Sequence, residues 1–387
     1  MIVGIARETF AGESRVALVP ASVAPLVKVG CEVLVEEGSG AQAGFPDTLY
    51  EDKGAKIVGR EELFRLADVV FQIRGPGADP EGAAAVLALT KKGQTLVGMQ
   101  DPLSNPEGVK AMAAQGVTAF SLEMVPRITR AQSMDVLSSM ATVAGYQAVL
   151  ESAIHLPKLF PMLMTAAGTL APAKVFVVGV GVAGLQAIAT AKRLGAVVEA
   201  YDVRPAVKDQ VLSVGAKFVE FDLETEGAED KGGYAKEQSE EFLRRQKEQM
   251  KAVVARNDVV ITTAAIPGRK SPVLVTEEMV EEMAPGSVIM DLAAERGGTC
   301  ELTRADQVVH AHGVTILGPT DLVSRKPYHA SQMFSKNVVT FLQGMIKEGK
   351  LNIDLEDEVI RETMATHEGE VTNTKIREAL GLAAPAS

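Results

Sequence analysis

The chain has 387 residues, 47% hydrophobic and 23% charged, which is typical of a globular protein with two or three domains. Its net charge of −11 argues against nucleic acid or an anionic membrane surface as a direct partner. The two cysteines share no metal or CxxC spacing and the N-terminus lacks signal-peptide features, so we expect a reducing compartment, no disulfides and no structural metal.

Short β-rich runs alternate with helical runs over residues 1–125. Strands are predicted at residues 2–6, 31–37, 68–74, 94–99 and 117–122. This alternation is typical of a parallel sheet with crossover helices. Residues 134–154 then have apolar positions at helical spacing and no proline, which predicts one long helix.

A second alternating set begins near Lys174. Its predicted strands are residues 174–180, 196–202, 216–221, 258–264, 287–293 and 314–319, and a helix is predicted at 329–349. We therefore predict an α/β protein with two doubly wound, Rossmann-like parallel-sheet domains joined by two long helices. The expected domains are residues 1–135 with 325–387, and residues 136–324.

The run "VFVVGVGVAGLQAIA" places Gly179, Gly181 and Gly184 in G-x-G-x-x-G spacing. Residues 175–191 are uncharged but too short to span a membrane, so strand, turn and helix are the better interpretation. A following strand ending in Asp202 completes the context of a dinucleotide-binding fingerprint. The alternative is a glycine-rich turn in an unrelated βαβ unit.

Each fingerprint residue has a physical role in this hypothesis. Gly179 permits a tight turn, Gly181 lets a pyrophosphate approach the helix N-terminus, and Gly184 allows close helix–strand packing. Asp202 would accept hydrogen bonds from the adenosine ribose, and its charge favours NAD(H) over NADP(H). Arg204, two residues on, could weaken that preference.

The junction "PRITRAQSMDVLSSM", residues 126–140, concentrates hydrogen-bonding side chains but has no histidine, cysteine or lysine to exchange a proton. A helix starting near Met134 would place Asp135 and Ser138 on one face. Simple capping of the helix is the alternative interpretation. Of the five histidines, His310 and His312 could share a strand face, and a surface pair is the plainer interpretation.

Several motifs together resemble the NAD(H)-binding components (domain I) of proton-translocating nicotinamide nucleotide transhydrogenases. They are "RETFAGESRVALVPASV", the junction "PRITRAQSMDVLSSMATVAGYQAVL", "GVGVAGLQAIATAKRLGA", "GGYAKEQSEEF", "PVLVTEEMV" and "HASQMFSKNV". The resemblance covers essentially the whole chain, within the alanine dehydrogenase/transhydrogenase superfamily. It implies Re/Si-specific, direct hydride transfer from NADH to NADP⁺, which needs no general acid or base because no proton moves at the reacting carbons.

The resemblance also implies a site, in an NAD(H) cleft between the two domains. Catalytic residues would be Gln132, Arg127, Asp135 and Ser138. Cofactor contacts would be Arg127, Ile128, Thr129, Gln132, Gly179, Gly181, Val182, Gly184, Asp202, Val203, Arg204, Tyr234, Ala265 and Ile266. We expect Arg127 to pair with Asp135, and Gln132 to reach toward the second nucleotide.

A charged insertion at residues 223–241 follows a predicted strand. Gly232 and Gly233 could act as a hinge, and Tyr234 could cover the adenosine side of a bound nucleotide, as the matching loop does in the family. The alternative is an ordinary solvated loop.

The resemblance implies partners as well. NADP(H) would be bound by a partner domain, and a separate membrane subunit would move protons. This component would be a homodimer at the cytoplasmic face of the membrane. It would have no membrane span of its own and would bind no nucleic acid.

One rival is a stand-alone alanine dehydrogenase-like enzyme, because Arg15 resembles its pyruvate-binding arginine. Against it, the neighbourhoods matching that enzyme's lysine and histidine read "FQIRGPG", with Arg74, and "LVGMQDPL", without histidine. The other rival is a non-catalytic, nucleotide-binding regulatory protein.

Overall fold

A computed structural model describes residues 1–223, 239–264, 270–347 and 349–383. Its strands are β1 (Ile2–Ile5), β2 (Glu32–Glu36), β3 (Lys56–Val58), β4 (Val69–Arg74), β5 (Thr95–Met99), β6 (Thr118–Ser121), β7 (Leu163–Thr165), β8 (Gly168–Leu170), β9 (Lys174–Val178), β10 (Val197–Tyr201), β11 (Lys217–Phe218), β12 (Val259–Thr262), β13 (Val288–Asp291), β14 (Val308–Ala311), β15 (Val314–Leu317), β16 (Ile346–Lys347), β17 (Lys350–Leu351), β18 (Met364–His367) and β19 (Glu370–Val371).

The α-helices alternate with these strands along most of the chain. They are α1 (Val23–Lys28), α2 (Asp47–Glu51), α3 (Arg60–Leu66), α4 (Ala83–Leu89), α5 (Pro106–Ala114), α6 (Val136–His155), α7 (Val182–Arg193), α8 (Lys208–Ser213), α9 (Glu240–Ala255), α10 (Glu277–Glu281), α11 (Pro327–Gly344), α12 (Glu358–Thr363) and α13 (Thr374–Ala379).

The described chain divides into two units. Unit 1 comprises Met1–Met140 and the described residues from Ser324 onward, and unit 2 the described part of Ala141–Val323. The first boundary falls within α6, whereas α11, the second helix expected to join the domains, lies wholly in unit 1. The domain limits at 135/136 and 324/325 stay predictions.

Unit 1 is built on a sheet of order β19-β18-β6-β5-β4-β1-β2-β3 within the described residues. From β6 to β3 neighbouring strands run parallel, and β18 adds antiparallel to β6. The short strands β3, β18 and β19 were not predicted.

Unit 2 contains a sheet of order β11-β10-β9-β12-β13-β15-β14, parallel except for β14. Side chains of β9 alternate between two apolar layers, because successive residues of a strand face opposite sides. Val175 and Val177 pack in the layer of α6 and α7, and Phe176 and Val178 in that of α9. The order reverses between β9 and β12, a topological switch point where doubly wound proteins bind ligands.

The predicted fold class is confirmed: the chain is a mixed α/β protein with two predominantly parallel sheets. The uncharged run at residues 175–191 is strand, turn and helix as predicted, β9 followed by α7. Among the helices that the structure describes, none has the length and apolar character needed to cross a bilayer.

Candidate nucleotide site

The glycine turn lies at the carboxyl end of β9, at the switch point of unit 2. Gly179 has a φ of +95°, a conformation that residues with a Cβ rarely adopt. A Cβ on Gly184 would lie 2.0 Å from the Gly179 carbonyl oxygen, so α7 could not pack this closely on the turn with any larger residue. A Cβ on Gly181, in contrast, would meet no atom of the described residues within 4 Å. The turn therefore leaves open space beside the N-terminus of α7, where backbone N–H groups favour an anion.

Asp202 follows β10 next to this turn and is 9% exposed. Its carboxylate accepts a 2.7 Å hydrogen bond from the backbone N–H of Val180, which ties it to the glycine turn. It also accepts hydrogen bonds from Arg204 through the backbone N, Nε and Nη2, each at 2.9 Å. The acid expected at the strand end is thus present, but Arg204 offsets its charge, which weakens the electrostatic argument for NAD(H).

Other predicted nucleotide contacts lie close by in the chain. Val182 opens α7 and is 41% exposed, and Val203 separates Asp202 from Arg204. Thr263, just after β12, donates a 2.9 Å hydrogen bond to the Gly179 carbonyl, a support for the turn that sequence reasoning missed. The predicted residues Tyr234, Ala265 and Ile266, and the predicted lid with them, lie outside the described residues.

The polar junction is a 3₁₀ helix (Thr129–Met134), and the long helix predicted at residues 134–154 follows it as α6, from Val136 to His155. Asp135 is the residue before α6, and its carboxylate accepts hydrogen bonds from the Ser138 backbone N at 2.9 Å and hydroxyl at 2.6 Å. This is N-capping, which satisfies an N–H group of the first helical turn. The Asp135 carboxylate thus faces the first turn of α6. The expected pairing of Arg127 with Asp135 stays a prediction.

The junction presents several of its predicted site residues outward. The side chains of Arg127, Thr129 and Gln132 are exposed, and that of Ile128 is half-buried. Ala131, in contrast, is only 1% exposed and anchors the segment. Arg130 forms a two-pronged ion pair with Asp357, at 3.1 and 2.5 Å. Sequence reasoning assigned no role to Ala131, Arg130 or Asp357; the only signal was that two of them lie within the junction.

A buried charge cluster lies at the start of unit 1. Arg15 donates from Nε and Nη2 to the Glu13 carboxylate at 2.7 and 2.5 Å, and both side chains are almost fully buried. Burial opposes ionisation of Glu13, but Arg15 prevails and lowers its pKa to about 2. Burial and the neighbouring Glu13 raise the pKa of Glu8 to about 8, although Glu8 accepts hydrogen bonds from the backbone of Ile73 and Arg74.

The two spaced histidines are surface residues. His310 lies on β14 with its Nδ1 3.2 Å from the Thr315 hydroxyl, and His312 occupies the following turn with Nε2 2.9 Å from Glu277. Glu281 completes an exposed group with ligand atoms within 4.8 Å of one another. Both histidines are thus accounted for by neighbouring polar groups at the surface.

The buried thiols are not reactive groups. Cys31 and Cys300 are free and buried, and burial raises both pKa values, that of Cys300 to about 11. A neutral thiol is a poor nucleophile.

The switch-point position of the glycine turn, the helix behind it and the acid on the next strand define unit 2 as a Rossmann-type nucleotide-binding domain. The chain belongs to the alanine dehydrogenase/PNT family: the model of the N-terminal domain matches residues 4–144 and that of the C-terminal domain residues 148–374. This confirms the family that the motifs indicated.

Three relatives illustrate the similarity. The first portion of the NAD(P) transhydrogenase alpha subunit of Rhodospirillum rubrum is 47% identical over 96% of this chain and 98% of its own. The crystal structure of transhydrogenase from Sinorhizobium meliloti is 43% identical, with a TM-score of 0.84 over 97% of this chain and 99% of that one. Alanine dehydrogenase of Bacillus subtilis is more distant, at 28% identity over 98% of this chain and 95% of its own. The similarities support a transhydrogenase component that binds a nicotinamide nucleotide.

Proposed function

We propose that this chain binds NAD(H) in unit 2 and, as part of a proton-translocating transhydrogenase, exchanges hydride directly with NADP(H) held by a partner domain. The observation that carries the proposal is the junction: Arg127 and Gln132 beside a capped helix, without a histidine, lysine or cysteine to relay a proton. A reaction that transfers only hydride between two nicotinamide rings requires positioning and not acid–base catalysis.

The glycine turn fits the nucleotide that the proposal requires. Gly181 leaves room for a pyrophosphate beside the N-terminus of α7, since no atom of the described chain lies within 4 Å of where its Cβ would be. Bound NADH supplies the hydride. Asp202 and Arg204 are proposed to hold the adenosine ribose, and Arg127, Gln132, Asp135 and Ser138 to orient the nicotinamide. The roles of Ile128, Thr129, Val182, Val203, Tyr234, Ala265 and Ile266 as contacts, and the cleft between the domains, stay predictions.

The deciding experiment compares the chain alone with the chain plus an NADP(H)-binding domain. Alone, it should bind NADH but oxidise it with no small-molecule substrate; with the domain, NADH should reduce NADP⁺ in a single turnover. Gln132→Asn, which withdraws the amide by one methylene, should slow transfer about tenfold or more with little change in NADH affinity. NADH oxidation by pyruvate and ammonia in the chain alone would overturn the proposal in favour of an alanine dehydrogenase.

Binding without any hydride transfer in the presence of the partner domain would instead support the regulatory rival. An unchanged transfer rate in Gln132→Asn would remove Gln132 from the reaction while leaving transhydrogenation intact.

We further propose that the component is a homodimer that docks on a membrane subunit at the cytoplasmic face. The hairpin β7–β8 supports the first half of this proposal, because all six of its residues are exposed and it joins no larger sheet among the described residues. Met162 is 57% and Met164 82% exposed. An isolated two-stranded hairpin is marginal in water, so packing against a second copy would stabilise it. The membrane subunit and the cytoplasmic location stay predictions of the family resemblance. The name of the Rhodospirillum rubrum relative, a transhydrogenase subunit, supports an assembly of several chains.

A further inference from the structure

The 3₁₀ helix of the junction is supported from within unit 1 by α11. Thr129, Gln132 and Ser133 lie on this turn, and α11 packs against its buried side. Asn337, in the middle of α11, donates a 2.8 Å hydrogen bond from Nδ2 to the Ser133 carbonyl oxygen. A buried side chain of unit 1 thereby holds the backbone immediately after Gln132.

Asn337 is an unusual choice for this position if only stability matters. The residue is 7% exposed, and its Oδ1 is buried with no hydrogen-bond donor among the described residues. An unpaired buried acceptor is unfavourable for folding, whereas an apolar side chain of similar volume would avoid that cost. The one interaction that an apolar residue could not replace is the hydrogen bond to Ser133.

The other described contacts of the 3₁₀ helix hold it on either side of the backbone that Asn337 contacts. Arg130 and Asp357 clamp the first half of the turn and Asp135 caps the helix after it. Between these two contacts, the buried Asn337 amide donates its hydrogen bond to the backbone beside Gln132. Loss of this amide would let the turn shift without unfolding.

We propose that Asn337 is a positioning residue for hydride transfer, which holds Gln132 in place through the Ser133 carbonyl. The inference rests on the proposed function and adds a residue outside the junction and the glycine turn. It acts only through the backbone, so it should affect the rate of transfer and not the affinity for NADH.

The test is Asn337→Leu in the full chain, assayed with the NADP(H)-binding domain. Single-turnover transfer should slow about tenfold, because displacements of an ångström or less cost this much in oriented reactions. The dissociation constant of NADH should stay within about twofold, and the melting temperature should be equal or higher. Hydrogen exchange of the amides at 129–135 should be faster.

Asn373 provides the matched control, since it is also a buried asparagine of unit 1 and donates from Nδ2 to a backbone carbonyl, that of Glu362, at 2.8 Å. Asn373→Leu should lower the melting temperature, because Asn373 also caps α13, and leave the transfer rate unchanged below the melt. A wild-type rate in Asn337→Leu, or parallel losses of rate and stability in both variants, would overturn the inference alone. A wild-type chain that transfers no hydride would overturn the proposed function and the inference with it.

Discussion

At the scale of single residues, nucleotide preference depends on two opposite charges in contact. Arg204 covers the Asp202 carboxylate, so removing either one exposes the other. Arg204→Ala should leave a bare carboxylate and strengthen discrimination against NADPH about tenfold, whereas Asp202→Asn should free the guanidinium for a 2′-phosphate and weaken it by a similar factor. Fluorescence titration with NADH and NADPH measures both. Shifts in the same direction for the two variants would contradict this assignment.

Glu8 makes stability depend on pH. In the folded chain, burial and Glu13 raise its pKa from 4.5 to about 8. The native state therefore binds a proton that the unfolded chain has lost between these values, and the free energy of unfolding decreases as pH rises from about 4.5 to 8. Glu8→Gln, which mimics the protonated acid, should melt like the wild type below about pH 4.5. Above that pH its melting temperature should exceed that of the wild type by a margin that grows until about pH 8. Thermal melts at pH 5.5 and 8.5 test this; an identical difference at both pH values would exclude Glu8 as the cause.

At the scale of elements, the glycine turn combines a packing requirement with a binding requirement. Gly184→Ala places a methyl group 2.0 Å from the Gly179 carbonyl oxygen and should destabilise unit 2 by about 1–3 kcal/mol while weakening NADH binding. The methyl group of Gly181→Ala meets no atom of the residues that the structure describes, so the melting temperature should hold or rise while NADH affinity falls about tenfold. Melting curves and NADH titrations of both variants separate the effects. An unchanged NADH affinity in Gly181→Ala would show that the nucleotide does not bind against this turn.

At the scale of the whole molecule, an acidic chain presents an apolar hairpin to solvent. Burial of Met164 and Leu170, which are 82% and 45% exposed, is the contribution expected to hold a dimer together. Met164→Asp with Leu170→Asp should therefore convert the protein to a monomer, observed by sedimentation at micromolar concentration. Leu212→Asp is the control, because Leu212 is 50% exposed on a helix of unit 2 and should leave the dimer intact. A wild-type chain that sediments as a monomer would refute the dimer.

Residue patterns alone predicted the two parallel sheets and the glycine turn, whereas the family came from the resemblance of several motifs to a known one. The sheets and the turn depend on local rules: apolar alternation within strands, helical spacing, and glycine where a Cβ would clash. Gly179 and Gly184 meet requirements visible within a few residues of chain, so their roles were predictable. The sequence also located the polar junction, because its composition contrasts with the apolar chain around it.

Only the tertiary structure decided which groups meet across long separations. Asn337 reaches Ser133 from α11, Asp357 reaches Arg130 from the start of α12, and Thr263 supports the glycine turn from the end of β12. The sequence also left undetermined which helix Asp135 caps and which cation pairs with Asp202. A carboxylate near a helix end has several hydrogen-bond donors within reach, and tertiary packing selects among them. The sequence by itself determined the local elements and their class, since those follow from near neighbours; the structure alone determined how the polar groups are satisfied, since burial makes each choice depend on distant residues.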